Sequence, residues 1–282
     1  MIEKRPFASL GGADEGWLNT RHHFSFAGYR DPQRMHWGAL RVWNDDEIAP
    51  GTGFAPHPHA NMEIITYVRQ GAVTHRDSLG NEGRTAAGDV QVMSAGSGIR
   101  HSEYNLEAET TQLFQIWIVP ERSGGEPNWG AKQFPKADRA AQFVVLASGT
   151  GGDPEALPIR ADARVVGATL NAGQIAQYRL AAGRHAYLVP ASGAVEVNGV
   201  RIDARGGAPT WGAKPFPKSD RAGRFVILAS GQAGDDDALP IRTDARVLGA
   251  TLKAGETAQY PLTPERHAYV VPASGAVEVN GV

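Results

Sequence analysis

Gly51-Thr52-Gly53-Phe54-Ala55-Pro56-His57-Pro58-His59-Ala60-Asn61-Met62-Glu63-Ile64-Ile65-Thr66-Tyr67-Val68 runs from a glycine-bounded turn, through two prolines, into a β-branched and aromatic segment. Proline breaks a helix interior, and Ile64 to Val68 has the composition of a strand. Side chains at i and i+2 of a strand share a face, so His57 and His59 enter the same interior. The stretch predicts β-structure with a pair of imidazoles aimed into it.

The same texture extends outward. Leu113-Phe114-Gln115-Ile116-Trp117-Ile118-Val119 and Phe143-Val144-Val145-Leu146 are short β-rich runs, and long helical periodicities are hard to find. Leu79-Gly80-Asn81-Glu82-Gly83 and Ala86-Ala87-Gly88-Asp89 suit hairpin turns of a sandwich or barrel. The fold class expected is all-β.

A composition shift at Pro120-Glu121-Arg122-Ser123-Gly124-Gly125-Glu126-Pro127 reads as a linker. It sets a metal-binding β-domain at 1–120 and a second β-segment, without metal, at 126–208. Beyond it the chain repeats itself. Trp129-Gly130-Ala131-Lys132 through Val200 recurs without a gap as Trp211-Gly212-Ala213-Lys214 through Val282, at roughly 70% identity, in two copies rather than the three or more of a solenoid. Residues 209–282 are thus a near-duplicate of 127–200. Copy one continues into Arg201-Ile202-Asp203, whereas copy two stops at Val282, where a hairpin should continue. An open edge seeks a partner, so Arg224-Phe225-Val226-Ile227-Leu228 is expected to close the barrel begun by copy one, within the chain or by swapping into an oligomer.

A second motif lies in Gly96-Ser97-Gly98-Ile99-Arg100-His101-Ser102-Glu103-Tyr104-Asn105, where His101 and Glu103 again share a strand face. Neighbouring strands would bring three neutral imidazoles and one carboxylate to a point, a donor set that suits one divalent ion of Fe, Cu, Ni, Mn or Zn. Glu63 has the facing parity of His57 and His59 if the strand runs on regularly. It is the contender for the carboxylate, or else accepts a hydrogen bond from a ligand. Glu103 is the preferred ligand and the candidate catalytic base.

The other histidines are weaker candidates. His22 and His23 are adjacent and point to opposite faces, so they cannot both serve one site; core packing is the simpler reading. His36 and His75 stand alone and are expected at the surface. His185 and His267 occupy equivalent places in the two copies with no second ligand nearby, so the downstream β-structure reads as structural. Phe24, Phe26, Trp37, Trp43 and Trp117 could line an aromatic pocket or simply fill the core. Asn44-Asp45-Asp46-Glu47 reads as a solvated turn.

Composition excludes several function classes. With no cysteine among 282 residues, disulfides, thiolate catalysis and cysteine-bearing zinc motifs are out. A formal net charge of −2 offers nothing to neutralise a phosphate backbone, so nucleic acid is not an expected partner. The Met1-Ile2-Glu3-Lys4-Arg5 start lacks an apolar core behind it, and no apolar run approaches the ~20 residues that span a bilayer. The chain reads as cytoplasmic.

Gly51, His57-x-His59, Glu63 and Gly71 resemble the first cupin motif, and Gly88, His101 and Asn105 the second, with Ser94 where a proline is usual. Within the cupins, Arg21-His22-His23-Phe24-Ser25-Phe26, His57-Pro58-His59, Met62-Glu63-Ile64-Ile65-Thr66-Tyr67 and the stretch from Met93 to Asn105 look like the pirin family, over about 1–205. The resemblance implies a bicupin: two β-barrel jelly rolls, metal in the first only, then a near-copy of part of the second. It maps the pirin ligands onto His57, His59, His101 and Glu103, with Fe(II) the expected ion and Cu, Ni, Mn or Zn compatible. It also implies an oxidoreductase resembling quercetin 2,3-dioxygenase, which opens a flavonol with O2 and releases carbon monoxide. Its partners would be a small aromatic substrate and O2. The alternative in the family is a non-catalytic, metal-binding co-regulator that works through protein contacts.

Overall fold

A computed structural model describes residues 2–204, 214–232, 234, 235, 237–240, 245–264 and 266–280. Apart from one 3-10 turn at Phe7–Ser9, every regular element among the described residues is a strand. The first ten are β1 (Gly11–Asp14), β2 (Leu18–His22), β3 (Leu40–Ile48), β4 (Gly53–His59), β5 (Glu63–Gln70), β6 (Ala72–Asp77), β7 (Glu82–Ala86), β8 (Val90–Ser94), β9 (Ile99–Tyr104) and β10 (Thr111–Ile118). After the expected linker come β11 (Asn128–Lys132), β12 (Val144–Ser148), β13 (Leu157–Pro158), β14 (Arg164–Gly167), β15 (Ala194–Val197) and β16 (Val200–Asp203). Copy two contributes β17 (Val226–Ser230), β18 (Leu239–Pro240) and β19 (Arg246–Gly249). The chain divides into two compact units, 1–207 and 208–282. No helix among the described residues is long and apolar enough to cross a membrane.

Two antiparallel sheets make the N-terminal half, one ordered β1-β2-β3-β10-β5-β8-β11 and one ordered β4-β9-β6-β7. Alternation along the central strands explains their continuous apolar character, because the seven-stranded sheet is covered on both faces. Val68 and Leu113 meet Val73 of the smaller sheet in one core. Their strand neighbours on the opposite face, Ile65, Phe114, Ile116 and Ile118, pack with Phe134, Leu146, Ile159 and Ala161 from beyond the linker. Each of the larger of these side chains, fully buried, contributes roughly 1.5–3 kcal/mol.

Polar residues interrupt the inward-facing row at Thr66, Gln91 and Gln115, and all three are buried. They surround one carboxylate, described below. The expected solvated turn Asn44–Glu47 lies instead within β3, with Asn44, Asp45 and Asp46 buried. Other strands of the same sheet supply the partners that make this possible: Arg69 of β5, two strands away, pairs with Asp45, and from the neighbouring β2 Thr20 bonds Asp46 at 2.5 Å and Asn19 bonds Glu47 at 3.1 Å. Buried charge is tolerated where it is paired and hydrogen-bonded.

The linker does not separate two sheets cleanly. β11, just past it, pairs with β8 as the last strand of the first sheet, from Asn128 opposite Ser94 to Lys132 opposite Val90. The remainder of copy one forms the sheet β13-β12-β14 and the hairpin β15-β16. Copy two builds the sheet β18-β17-β19 in the corresponding register. β17 was the strand expected to close the barrel of copy one. It is the central strand of this sheet, between β18 and β19.

Candidate metal centre

β4 is the edge strand of the smaller sheet, which is where its two prolines can be accommodated. Its approach to β9 is tight: a Cβ on Gly53 would stand 2.2 Å from the carbonyl oxygen of Glu103. A bulge between Phe54 and His57 shifts the register so that His57 faces His101 directly and His59 faces Ile99. Bulges re-aim side chains, and this one gathers the three rings expected from the sequence.

The ring centroids of His57 and His59 are 4.7 Å apart, those of His57 and His101 4.5 Å, and those of His59 and His101 5.0 Å. One ligating nitrogen from each lies within 4.8 Å of the others. His57 Nδ1 is 2.8 Å from the Ala55 carbonyl oxygen, to which it donates, so its lone pair is on Nε2. That Nε2 lies 3.1 Å from His101 Nε2. Two ring nitrogens at this separation fit a shared divalent transition ion once His101, like His57, carries its proton on Nδ1. Burial is the main cause holding His101 down at about 3 and His59 at about 4, with the neighbouring rings adding to it. Both are neutral and able to ligate at ordinary pH.

Glu103 is buried. Its Oε1 accepts from Gln91 Nε2 at 2.6 Å and Thr66 Oγ1 at 3.1 Å, and its Oε2 accepts from Gln115 Nε2. The carboxylate falls in a second group, within 4.8 Å of ring nitrogens of His75 and His101, rather than with all three expected histidines. Glu63 is not brought to the cluster. β4 ends at His59, Asn61 turns the chain with a φ of 54°, and β5 restarts at Glu63, which resets the facing parity. Its carboxylate accepts a 2.5 Å bond from Ser94.

His75, expected at the surface, is fully buried against His101. Spacing along one strand could not reveal it, because its partners come from β9 and from β11 beyond the linker. The only local sign is Asp77, two residues on and on the same face. His22 and His23 are core residues: His22 Nδ1 is 3.0 Å from Asn44 Oδ1, and His23 Nδ1 is 2.9 Å from the Tyr187 hydroxyl. His36, His185 and His267 are exposed. Of the aromatic candidates, Trp117 stands edge-on to His59 at 5.0 Å with Phe26 behind it, whereas Phe24 and Trp43 pack on Tyr187. Trp37 is 44% exposed. A cleft of about 480 Å3 opens at His59, between Pro58, Ser78, Ile99 and Arg100.

Residues 4–118 match the family model described as Pirin, and 145–223 and 227–282 match the one described as the quercetinase C-terminal cupin domain. The chain is 69% identical over 208 residues to a pirin-like protein of Caulobacter vibrioides, covering 74% of this chain and 90% of the relative. It is 41% identical to a protein named quercetin 2,3-dioxygenase in Escherichia coli K12, covering 75% of this chain and 90% of that one. Among solved structures it resembles the bacterial pirin YhhW of Escherichia coli in complex with nickel(II). That similarity has a TM-score of 0.59 at 36% identity and covers 71% of this chain and 85% of that chain.

Proposed function

The chain belongs to the pirin family, and from that premise we propose that it is a metal-dependent dioxygenase that opens a flavonol such as quercetin with O2 and releases carbon monoxide. The observation that carries this reading is the convergence of His57 and His101 Nε2 at 3.1 Å beside His59. These three residues, with Glu103 as the carboxylate, would hold a divalent transition ion, Fe(II) by preference. Bound there, the ion would supply Lewis acidity toward a phenolic oxygen and a place for O2 chemistry.

The chain's own residues do the rest. Trp117, edge-on to His59, offers an aromatic wall against which a flat ring can stack. The cleft beside His59 has a volume within the roughly 300–1,000 Å3 range of small-molecule sites. Glu103 is oriented by three donors as an acceptor, the state in which a carboxylate can take the proton of the flavonol 3-hydroxyl.

The test is anaerobic loading of the metal-free protein with Fe(II) or Ni(II), addition of quercetin, then admission of air. Wild type bleaches the flavonol absorption and releases carbon monoxide. His59→Ala loses the metal and the bleaching together. Glu103→Gln keeps its shape but turns an amide toward the Gln91 and Gln115 amides, and slows turnover at least 100-fold, the lower range for losing a positioned base. Equal bleaching by wild type and His59→Ala refutes the proposal.

A further inference from the structure

The site contains one histidine that the proposed chemistry does not use. His75 lies on β6, opposite Glu103 of β9 and Gly83 of β7, and is fully buried. The Trp129 ring is stacked on it, 4.8 Å away and tilted by 8°. Its Nε2 is 3.1 Å from Asp77 Oδ2, and its Nδ1 is 3.4 Å from His101 Nδ1. Asp77 is itself anchored: Oδ1 accepts from the Leu79 and Asn81 amides, and Oδ2 from Asn81 Nδ2.

With an ion held at His57 and His101, counting protons sets the tautomers of this row. For His101 to offer its Nε2 lone pair beside His57, its ring proton must sit on Nδ1. His75 Nδ1 is the acceptor facing that N–H. A lone pair on His75 Nδ1 puts the His75 proton on Nε2, where it is donated to the Asp77 carboxylate. Each ring is then neutral and no N–H faces another. The opposite tautomer of His75 would set two N–H groups against each other and leave a lone pair facing a carboxylate.

We infer that His75 is a positioning residue for the metal centre: held between Asp77 and Trp129, it accepts the Nδ1 proton of His101 and so fixes which nitrogen, and which ring plane, His101 presents to an ion. The inference rests on reading His57, His59 and His101 as ligands. Partners behind a ligand of this kind are typically worth about 10–100-fold in metal affinity. Trp129 comes from beyond the linker, so the C-terminal part of unit 1–207 takes part in shaping a site whose ligands all precede it.

The test compares two replacements of nearly equal shape in the full chain, His75→Leu, which has no acceptor, and His75→Asn, which keeps one near the position of Nδ1. Metal-free proteins are matched by thermal unfolding, then titrated with Ni(II) by calorimetry and with Co(II) by visible absorption. Wild type binds one Ni(II) per chain. His75→Leu binds it about 10–100-fold more weakly with shifted Co(II) bands, and His75→Asn recovers most of the loss. Should neither variant fold, Asp77→Asn keeps the Oδ1 acceptor and turns an amide toward His75 Nε2; it weakens Ni(II) binding in the same direction. Equal affinity in the Leu and Asn variants, or an unchanged affinity in Asp77→Asn, overturns the inference. So does binding of two ions by wild type and one by His75→Leu, which would make His75 a ligand with Glu103. A wild type that binds Ni(II) without turning over quercetin refutes only the dioxygenase, whereas one that binds no Ni(II) refutes both.

Discussion

His23 shows what burial does to an imidazole with no ion to serve. It is 7% exposed, burial holds it down at about 3, and the charge of Arg5 adds to the effect. Its folded-state value lies below the unfolded value, so the unfolded chain takes up the proton more readily. The associated stability is complete above about pH 6.5 and is lost as the pH falls toward 3. Between pH 7 and pH 5 this one residue should remove roughly 2 kcal/mol of unfolding free energy. Denaturant titrations of metal-free protein at the two pH values check it: the pH-dependent difference shrinks by about that amount in His23→Leu. An undiminished difference would assign the acid sensitivity to other groups. The same scale separates what could be read from the chain and what could not. His57, His59 and His101 were legible because strand parity is local. His75 was not, because its burial depends on a tryptophan far along the chain, and the parity argued for Glu63, the contender to Glu103, did not allow for the turn at Asn61.

Strands supply the next level of specification. β6 and β7 hold His75 opposite Gly83, and a Cβ at Gly83 would lie 2.2 Å from Trp129 Cη2. Gly83→Ala should therefore push the indole off His75 at a cost of roughly 1–3 kcal/mol, as overpacking does elsewhere. A lowered unfolding temperature with changed tryptophan fluorescence is the expected result; an unaltered spectrum would mean that the indole has room to yield. The all-β class was legible from short β-branched runs and turn residues. The charge run in β3 was not, since Asp45 and Asp46 become acceptable inside a strand only once Arg69 and Thr20 arrive from elsewhere in the sheet.

At the scale of the molecule, near-identical sequences reach different surroundings. Tyr187 of copy one packs on His23, Phe24 and Trp43, whereas Tyr269, its counterpart in copy two, is 94% exposed. The local sheets repeat because their sequences do. Burial of the tyrosine does not repeat, because it needs the N-terminal sheet as a partner. The proline- and glycine-rich run after β10 looked like a boundary for the same reason: composition reports local chain direction, not which sheet the next strand joins. β11 joins the first, and the core formed around Phe114 is shared across the run. Arg122, within it, is exposed. A protease that cuts there would therefore sever the backbone without parting the pieces. Protein nicked at Arg122 should elute from a sizing column at the intact position, show two bands on a denaturing gel, and come apart only in denaturant. Once folded, the chain holds its halves together by a ladder and a shared interior, and the peptide bond between them becomes dispensable.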